Sequence, residues 1–112
     1  MFKLEKPKEI TWPVTVSVPR DGGNTVKQVF TGKFKMISGG EFNAIYKNGG
    51  TDEDLVRAVL IGWGPDLCDE AENPLEFYDD NLNLIISIPY IRSAIVDAYL
   101  ELSHGKKATI KN

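Results

Sequence analysis

Ile10-Thr11-Trp12-Pro13-Val14-Thr15-Val16-Ser17-Val18-Pro19-Arg20-Asp21-Gly22-Gly23-Asn24 is the stretch on which the fold turns. Ile10, Trp12, Val14, Val16 and Val18 alternate with Thr11, Pro13, Thr15 and Ser17, the period of two that a half-buried strand requires. Pro13 has no N–H to give to a ladder, which assigns this strand to a sheet edge. Asp21-Gly22-Gly23 supplies residues that accept the positive φ of a tight hairpin turn. From about Val26 to Ile37 the alternation resumes, with Val26, Phe30, Phe34 and Met36 on one face and Lys27, Thr31, Lys33 and Lys35 on the other. The two strands make an antiparallel hairpin with an apolar inner face and a basic outer face. A lone hairpin is barely stable in water, so the remaining chain must cover the inner face.

The remaining chain reads as helices. Ser38-Gly39-Gly40-Glu41 has the spacing of a capping box, opening a short helix with Phe42 and Ile45 or Tyr46, closed by Asn48-Gly49-Gly50. A second helix opens at Thr51, with Asp52, Glu53 and Asp54 at its positive dipole end. Leu55, Ala58, Val59 and Gly62 form its stripe and Val56, Leu60 and Trp63 widen it, so this helix is expected to run to the Gly62-Trp63-Gly64-Pro65 break. An acidic loop follows from Asp66 to Glu76. Residues 82–88 read two ways: Asp79-Asp80-Asn81 can cap a helix there, while Leu82, Leu84, Ile86 and Ile88 alternate like a strand. Pro89 suits the first turn of a last helix to Ser103, striped by Ile91, Ala94, Ile95, Ala98 and Leu102 and stopped by Gly105. The fold class is therefore α+β: an N-terminal antiparallel β-hairpin followed by a small bundle of three to four helices. The organisation is a loose lead-in over 1–9, a single domain over 10–104 and a flexible tail over 105–112.

Composition sets bounds on function. At 112 residues the chain holds one domain, and 42% hydrophobic with 26% charged residues is a globular balance. A net charge of −3 opposes nucleic-acid binding, which needs a surplus of Lys and Arg to neutralise phosphates. The first residues lack a signal-peptide core and no apolar run approaches membrane-spanning length, so a cytoplasmic protein is expected, with neither nucleic acid nor membrane as partner. One cysteine forbids an intrachain disulfide.

No residue pattern carries catalysis. His104 is the lone histidine, at the end of the last helix, where a cation complements the dipole. Cys68 sits among Asp66, Asp69 and Glu70, the opposite of the electropositive setting that makes a reactive thiol. Asp66, Asp69, Glu70, Glu72 and Glu76 lack the alternating ligands and turn glycine of a calcium loop. No cofactor, metal or enzymatic activity is expected. One strip stands apart: Val96 and Leu100 lie four residues apart, off the main stripe of the last helix, with Tyr99 between the two regions. Either the hairpin covers this strip or a partner does, which makes Val96, Tyr99 and Leu100 the candidate partner-binding residues, with self-association one possibility.

The ordered elements resemble a family of small tail assembly chaperones of long-tailed bacteriophages and prophages. The resemblance is carried by Phe2-Lys3-Leu4 before the strand Ile10–Val18, by the turn Pro19-Arg20-Asp21-Gly22-Gly23, and by the strand ending Phe34-Lys35-Met36-Ile37. It continues through Thr51-Asp52-Glu53-Asp54-Leu55 leading to Gly62-Trp63, and through Ile88-Pro89-Tyr90-Ile91-Arg92 to Leu100. It implies a protein that binds the tape measure protein in the host cytoplasm, keeps it soluble, yields it to tail tube protein and is absent from the mature virion. It also implies that related genes yield extended forms by frameshifting, and it brings no catalytic residues. The alternative is a structural virion protein, such as a minor tail or head–tail connector subunit.

Overall fold

The computed structural model describes residues 1–5 and 8–109; Lys6 and Pro7 of the lead-in and Ile110, Lys111 and Asn112 of the tail lie outside the described residues. The hairpin forms where the alternation places it. β1 spans Glu9–Arg20 and β2 spans Asn24–Lys35, antiparallel, with Val14 opposite Phe30 and Ile10 opposite Phe34. Gly22 and Gly23 take the positive φ the turn needs, at 85° and 83°. Val14, Val16, Phe30 and Phe34 are all buried, so the inner face is the expected one.

Helices cover that face. α1 spans Gly39–Lys47, with the Ser38 hydroxyl accepting from the Glu41 N–H at 3.1 Å. α2 spans Asp52–Val59 and opens with the Asp54 carboxylate accepting from the Thr51 N–H at 2.8 Å. Tyr46 ties the two together by donating its hydroxyl to Asp52 at 2.7 Å. Burial and that acceptor push the Tyr46 phenol up to about 12.

The expected extension of the second helix to Trp63 is corrected. The chain leaves α2 at Val59 and forms β3, Leu60–Trp63, which pairs antiparallel with β2 through Gly32↔Trp63 and Lys33↔Gly62. The hairpin is thus part of a three-stranded sheet in the order β1-β2-β3. A four-residue strand buried on one face and backed by a helix is apolar nearly throughout, and such a run carries no period that separates it from helix. Gly32 lies between Trp12 and Trp63 on the inner face, and a Cβ there would come within 2.8 Å of the Phe34 ring. Glycine is what lets the ring lie against the backbone.

The ambiguous segment is helical. α3 spans Asp79–Ser87 and buries Leu82, Ile85 and Ile86, while Leu84 is exposed. Strand alternation would have put Leu82, Leu84 and Ile86 on one side; the i, i+3, i+4 spacing wins because it gives α4 a single apolar face to meet. α4, Pro89–Ser103, follows directly and packs on β1, α2 and α3. Gly105, at φ 67°, ends it. The segment expected to be loose beyond that point folds back: Lys106 N–H donates to the Glu101 carbonyl at 2.9 Å, and Thr15 donates its hydroxyl to the Thr109 carbonyl at 2.7 Å.

Candidate partner-binding surface

The hairpin is longer than the core it serves. β3 accompanies β2 only from Leu60 to Trp63, so beyond that the sheet narrows to two strands. From Asn24 to Val29 every residue of β2 is exposed, including Val26 and Val29. Its partner β1 stays against the body through buried Val16, so the distal half of the hairpin is an arm exposed along its β2 side.

Its backbone pairing follows from alternation. In an antiparallel pair, opposed residues alternate between those that exchange hydrogen bonds and those whose N–H and C=O point outward. Thr31 points outward, away from β1. Its N–H donates to both oxygens of Asp66, at 3.1 and 3.0 Å, and its carbonyl accepts from the Gly64 N–H at 2.9 Å. Its partner Pro13 has no N–H, which suits an outward-facing pair. Counting back by twos along β2, Val29, Lys27 and Thr25 point outward as well. Asp66 ends the protected stretch, since its carboxylate also accepts from the Thr31 hydroxyl at 2.9 Å.

Beside this edge lies an apolar cleft of 290 Å³. Val16, Phe30 and Ile85 form its buried floor, and Val18, Leu67 and Ile91 its half-buried walls. Gln28 and Tyr90 stand exposed on the rim, and Val29 borders it as part of the strand edge, its side chain on the outer face with Lys27 and Thr31. The loop that supplies Leu67 also explains the acidic run. Asp69 turns the loop by accepting from the N–H groups of Ala71 and Asn73, at 2.9 and 3.0 Å, and Leu75 N–H donates to the Leu67 carbonyl at 3.0 Å. Two of the loop's carboxylates, Asp66 and Asp69, are thus occupied with backbone amides. Among the described residues no group of three or more His, Cys, Asp or Glu side chains is placed to hold a metal ion. Cys68 is a free, exposed thiol.

A second, more polar cavity of 430 Å³ lies between β1 and α4, lined by Thr15, Ser17, Asp97, Glu101, His104 and Lys106 among others. Glu101 is committed to structure there: it accepts from Trp12 Nε1 at 3.3 Å, from the Thr109 N–H at 3.2 Å and from the Thr109 hydroxyl. Burial raises the Asp97 carboxyl above its ordinary value, and the charges of Glu101 and Asp52 add to this. The arrangement closes the cavity against β1; it presents no nucleophile held by a base.

The strip expected on the last helix is largely inside. Val96 is 9% exposed and Tyr99 1%, while Leu100 is half-buried. Arg92, one turn before Val96, pairs with Glu53 of α2 at 3.5 Å, so this side of α4 faces α2. Tyr99 lies against Phe34, ring centroids 6.3 Å apart, and its hydroxyl accepts from the Ile37 N–H at 3.1 Å. Neither of the two covers weighed from the sequence accounts for the strip alone: α2 and the end of β2 share it. The basic outer face of the sheet is as expected, with Lys33 and Lys35 exposed and Lys27 turned onto Ser17 of β1.

The sequence-level reading missed the arm and its cleft. The signal was present in part, because Pro13 and Pro19 both fall in the outward register of β1; the extent of β3, which sets where the free edge begins, was not. No family model, curated protein or solved structure matches the chain. No helix among the described residues is long and apolar enough to cross a membrane.

Proposed function

We propose that this chain is a non-enzymatic tail assembly chaperone that binds the tape measure protein, keeps its apolar helical segments soluble during tail tube assembly, and gives way to tail tube protein. Its place is the bacterial host cytoplasm, and it is absent from the finished virion. The observation that supports this reading best is the apolar cleft, floored by Val16, Phe30 and Ile85, with Gln28 and Tyr90 exposed on its rim. An exposed apolar concavity of this kind fits the apolar face of another protein. The choice of the tape measure protein as client rests on the resemblance carried by the ordered motifs from Phe2-Lys3-Leu4 to Ile88-Pro89-Tyr90-Ile91-Arg92. Release is part of such a task, so the contact is of moderate affinity with a usable off-rate.

Co-purification with the tape measure protein tests it. The double variant Gln28→Asp, Tyr90→Asp should lose capture and keep its circular dichroism, because carboxylates on an exposed rim are nearly free in water and costly in an apolar contact. Capture unchanged by that variant would move the surface elsewhere. The exposed hairpin arm also supports a second reading, a subunit that stays in the particle as a minor tail or connector protein. Mass spectrometry of purified virions separates them: a fixed copy number establishes the structural subunit and displaces the chaperone.

A further inference from the structure

We infer that the free edge of β2 takes the N-terminal arm of a second copy of this chain as an added strand. The edge offers the outward N–H and C=O groups of Val29, Lys27 and Thr25, and the arm offers a matching strand. Met1, Phe2 and Leu4 are 111%, 87% and 90% exposed, packed against nothing in their own chain. Phe2 and Leu4 are two apart, so in an extended arm they share one face, with Lys3 and Glu5 on the other.

Charge selects the register. Lys27 is on the outer face of the sheet, with Lys33 and Lys35 further along. An antiparallel arm with Glu5 opposite Lys27 sets Lys3 opposite Val29, Leu4 opposite Gln28 and Phe2 opposite Phe30. Phe2 and Leu4 then lie on the inner face, over the cleft floored by Val16, Phe30 and Ile85. A parallel arm over the same two inner-face positions would put Lys3 opposite Val29 and Glu5 opposite Thr31, against the Asp66 carboxylate that already holds that end of the edge. The arm ends where Asp66 takes over the edge at Thr31. In the single chain the Lys27 ammonium rests on the Ser17 hydroxyl, an exposed contact that it exchanges for the Glu5 carboxylate when the arm docks.

The arm cannot reach its own edge in this register. Glu9, where β1 begins, is opposite Lys35. Lys27 lies eight strand positions further along β2, roughly 27 Å away. Glu5 is four residues from Glu9 and reaches at most about 14 Å. The contact is therefore between copies. Each copy gives one arm and one edge, so the association either closes reciprocally in a pair or continues head to tail. The inference does not depend on the chaperone reading, though an arm in the cleft would compete with a client there.

Sedimentation velocity on the full chain over a range of concentration tests it. The wild type should associate reversibly. Phe2→Asp with Leu4→Asp, both at exposed positions, should weaken association by roughly tenfold or more. Val29→Pro should do the same by removing one outward N–H, with an unchanged circular dichroism spectrum. Mixing a Leu4→Cys variant with a Gln28→Cys variant, both in a Cys68→Ser background, should give a disulfide between copies, and Val26→Cys in place of Gln28→Cys should not. A wild type that stays monomeric throughout, or association that survives the arm variant, would overturn the inference. Capture of the tape measure protein is read separately: a wild type that associates through arm and edge as described yet captures no tape measure protein would count against the chaperone reading alone.

Discussion

Along the outer edge of β1 the outward positions are Thr11, Pro13, Thr15, Ser17 and Pro19, and proline removes the N–H at two of them. Along the free part of β2 they are Thr25, Lys27 and Val29, and every N–H is present. The first edge is further covered, since Thr15 is bonded to Thr109 and α4 packs along β1. The second has a partner only up to Thr31, where Asp66 closes it. Proteins blunt edges with proline, bulges and covering elements because an open edge pairs with whatever strand arrives. Here one edge is blunted by two means at once while the other keeps its backbone groups and sits beside an apolar cleft. The difference separates an edge that must stay inert from one available for contact.

The largest effect should come from the half of the hairpin that both edges depend on. Phe34 is fully buried against Tyr99, and Phe34→Ala should cost about 3–5 kcal/mol in chemical denaturation. Val26, on the distal arm of the same strand, is 44% exposed, and Val26→Ala should stay within about 0.5 kcal/mol. Equal losses would mean that the arm is packed and not free. Next is a proline pair that tests the register directly. Gln28→Pro removes an N–H that points to β1 opposite Val16 and should cost on the order of 3 kcal/mol, whereas Val29→Pro removes an outward one and should cost little. The reverse order would put Thr25, Lys27 and Val29 inside the ladder and close the proposed edge.

A smaller effect is expected where the open edge begins. Asp66→Ala deprives the Thr31 N–H and hydroxyl of their acceptor, at about 1 kcal/mol for these exposed bonds. It also frees the Thr31 N–H at the end of the open edge, the carbonyl staying with Gly64, so self-association measured by sedimentation should rise as stability falls. A variant that loses stability without associating more strongly would show that the edge at Thr31 is still covered.

How far the sequence could be read depended on what each element's surroundings add to its pattern. β1, β2 and the turn at Asp21-Gly22-Gly23 are legible because alternation and turn chemistry are local, and so is the Ser38 cap. β3 is not, because Leu60–Trp63 is packed by a helix on one side and pairs with β2 through its backbone, and its apolar residues continue the stripe of α2. Val96 and Tyr99 mislead for a related reason. A helix wheel with one stripe assumes one neighbour, while α4 has β1, α2 and α3 around it and buries a wide arc from Ala94 to Val96. The cleft is assembled from β1, β2, the Asp66–Glu76 loop, α3 and α4, so no segment carries its pattern.

The smallest effect belongs to the closed edge, at Asp97, which lines the cavity between β1 and α4 with Glu101 and His104. Burial raises its carboxyl above the ordinary value, and the negative charges of Glu101 and Asp52 push the same way. A raised value in the folded chain means that folding favours the protonated acid. That contribution is complete below the unfolded value and is lost as pH rises through the folded one. Near neutral pH the carboxylate is therefore a slight burden on the folded state. Asp97→Asn should raise stability there by no more than about 0.5 kcal/mol, and the gain should vanish in acid, at about pH 3. Thermal melts of the two chains across that range read the difference. A gain of the same size at both ends would mean that the amide acts through a new hydrogen bond, and that charge plays no part in how α4 sits against β1. A gain confined to neutral pH would show that this edge is kept closed by proline, packing and the Thr109 contact, against a mild electrostatic cost.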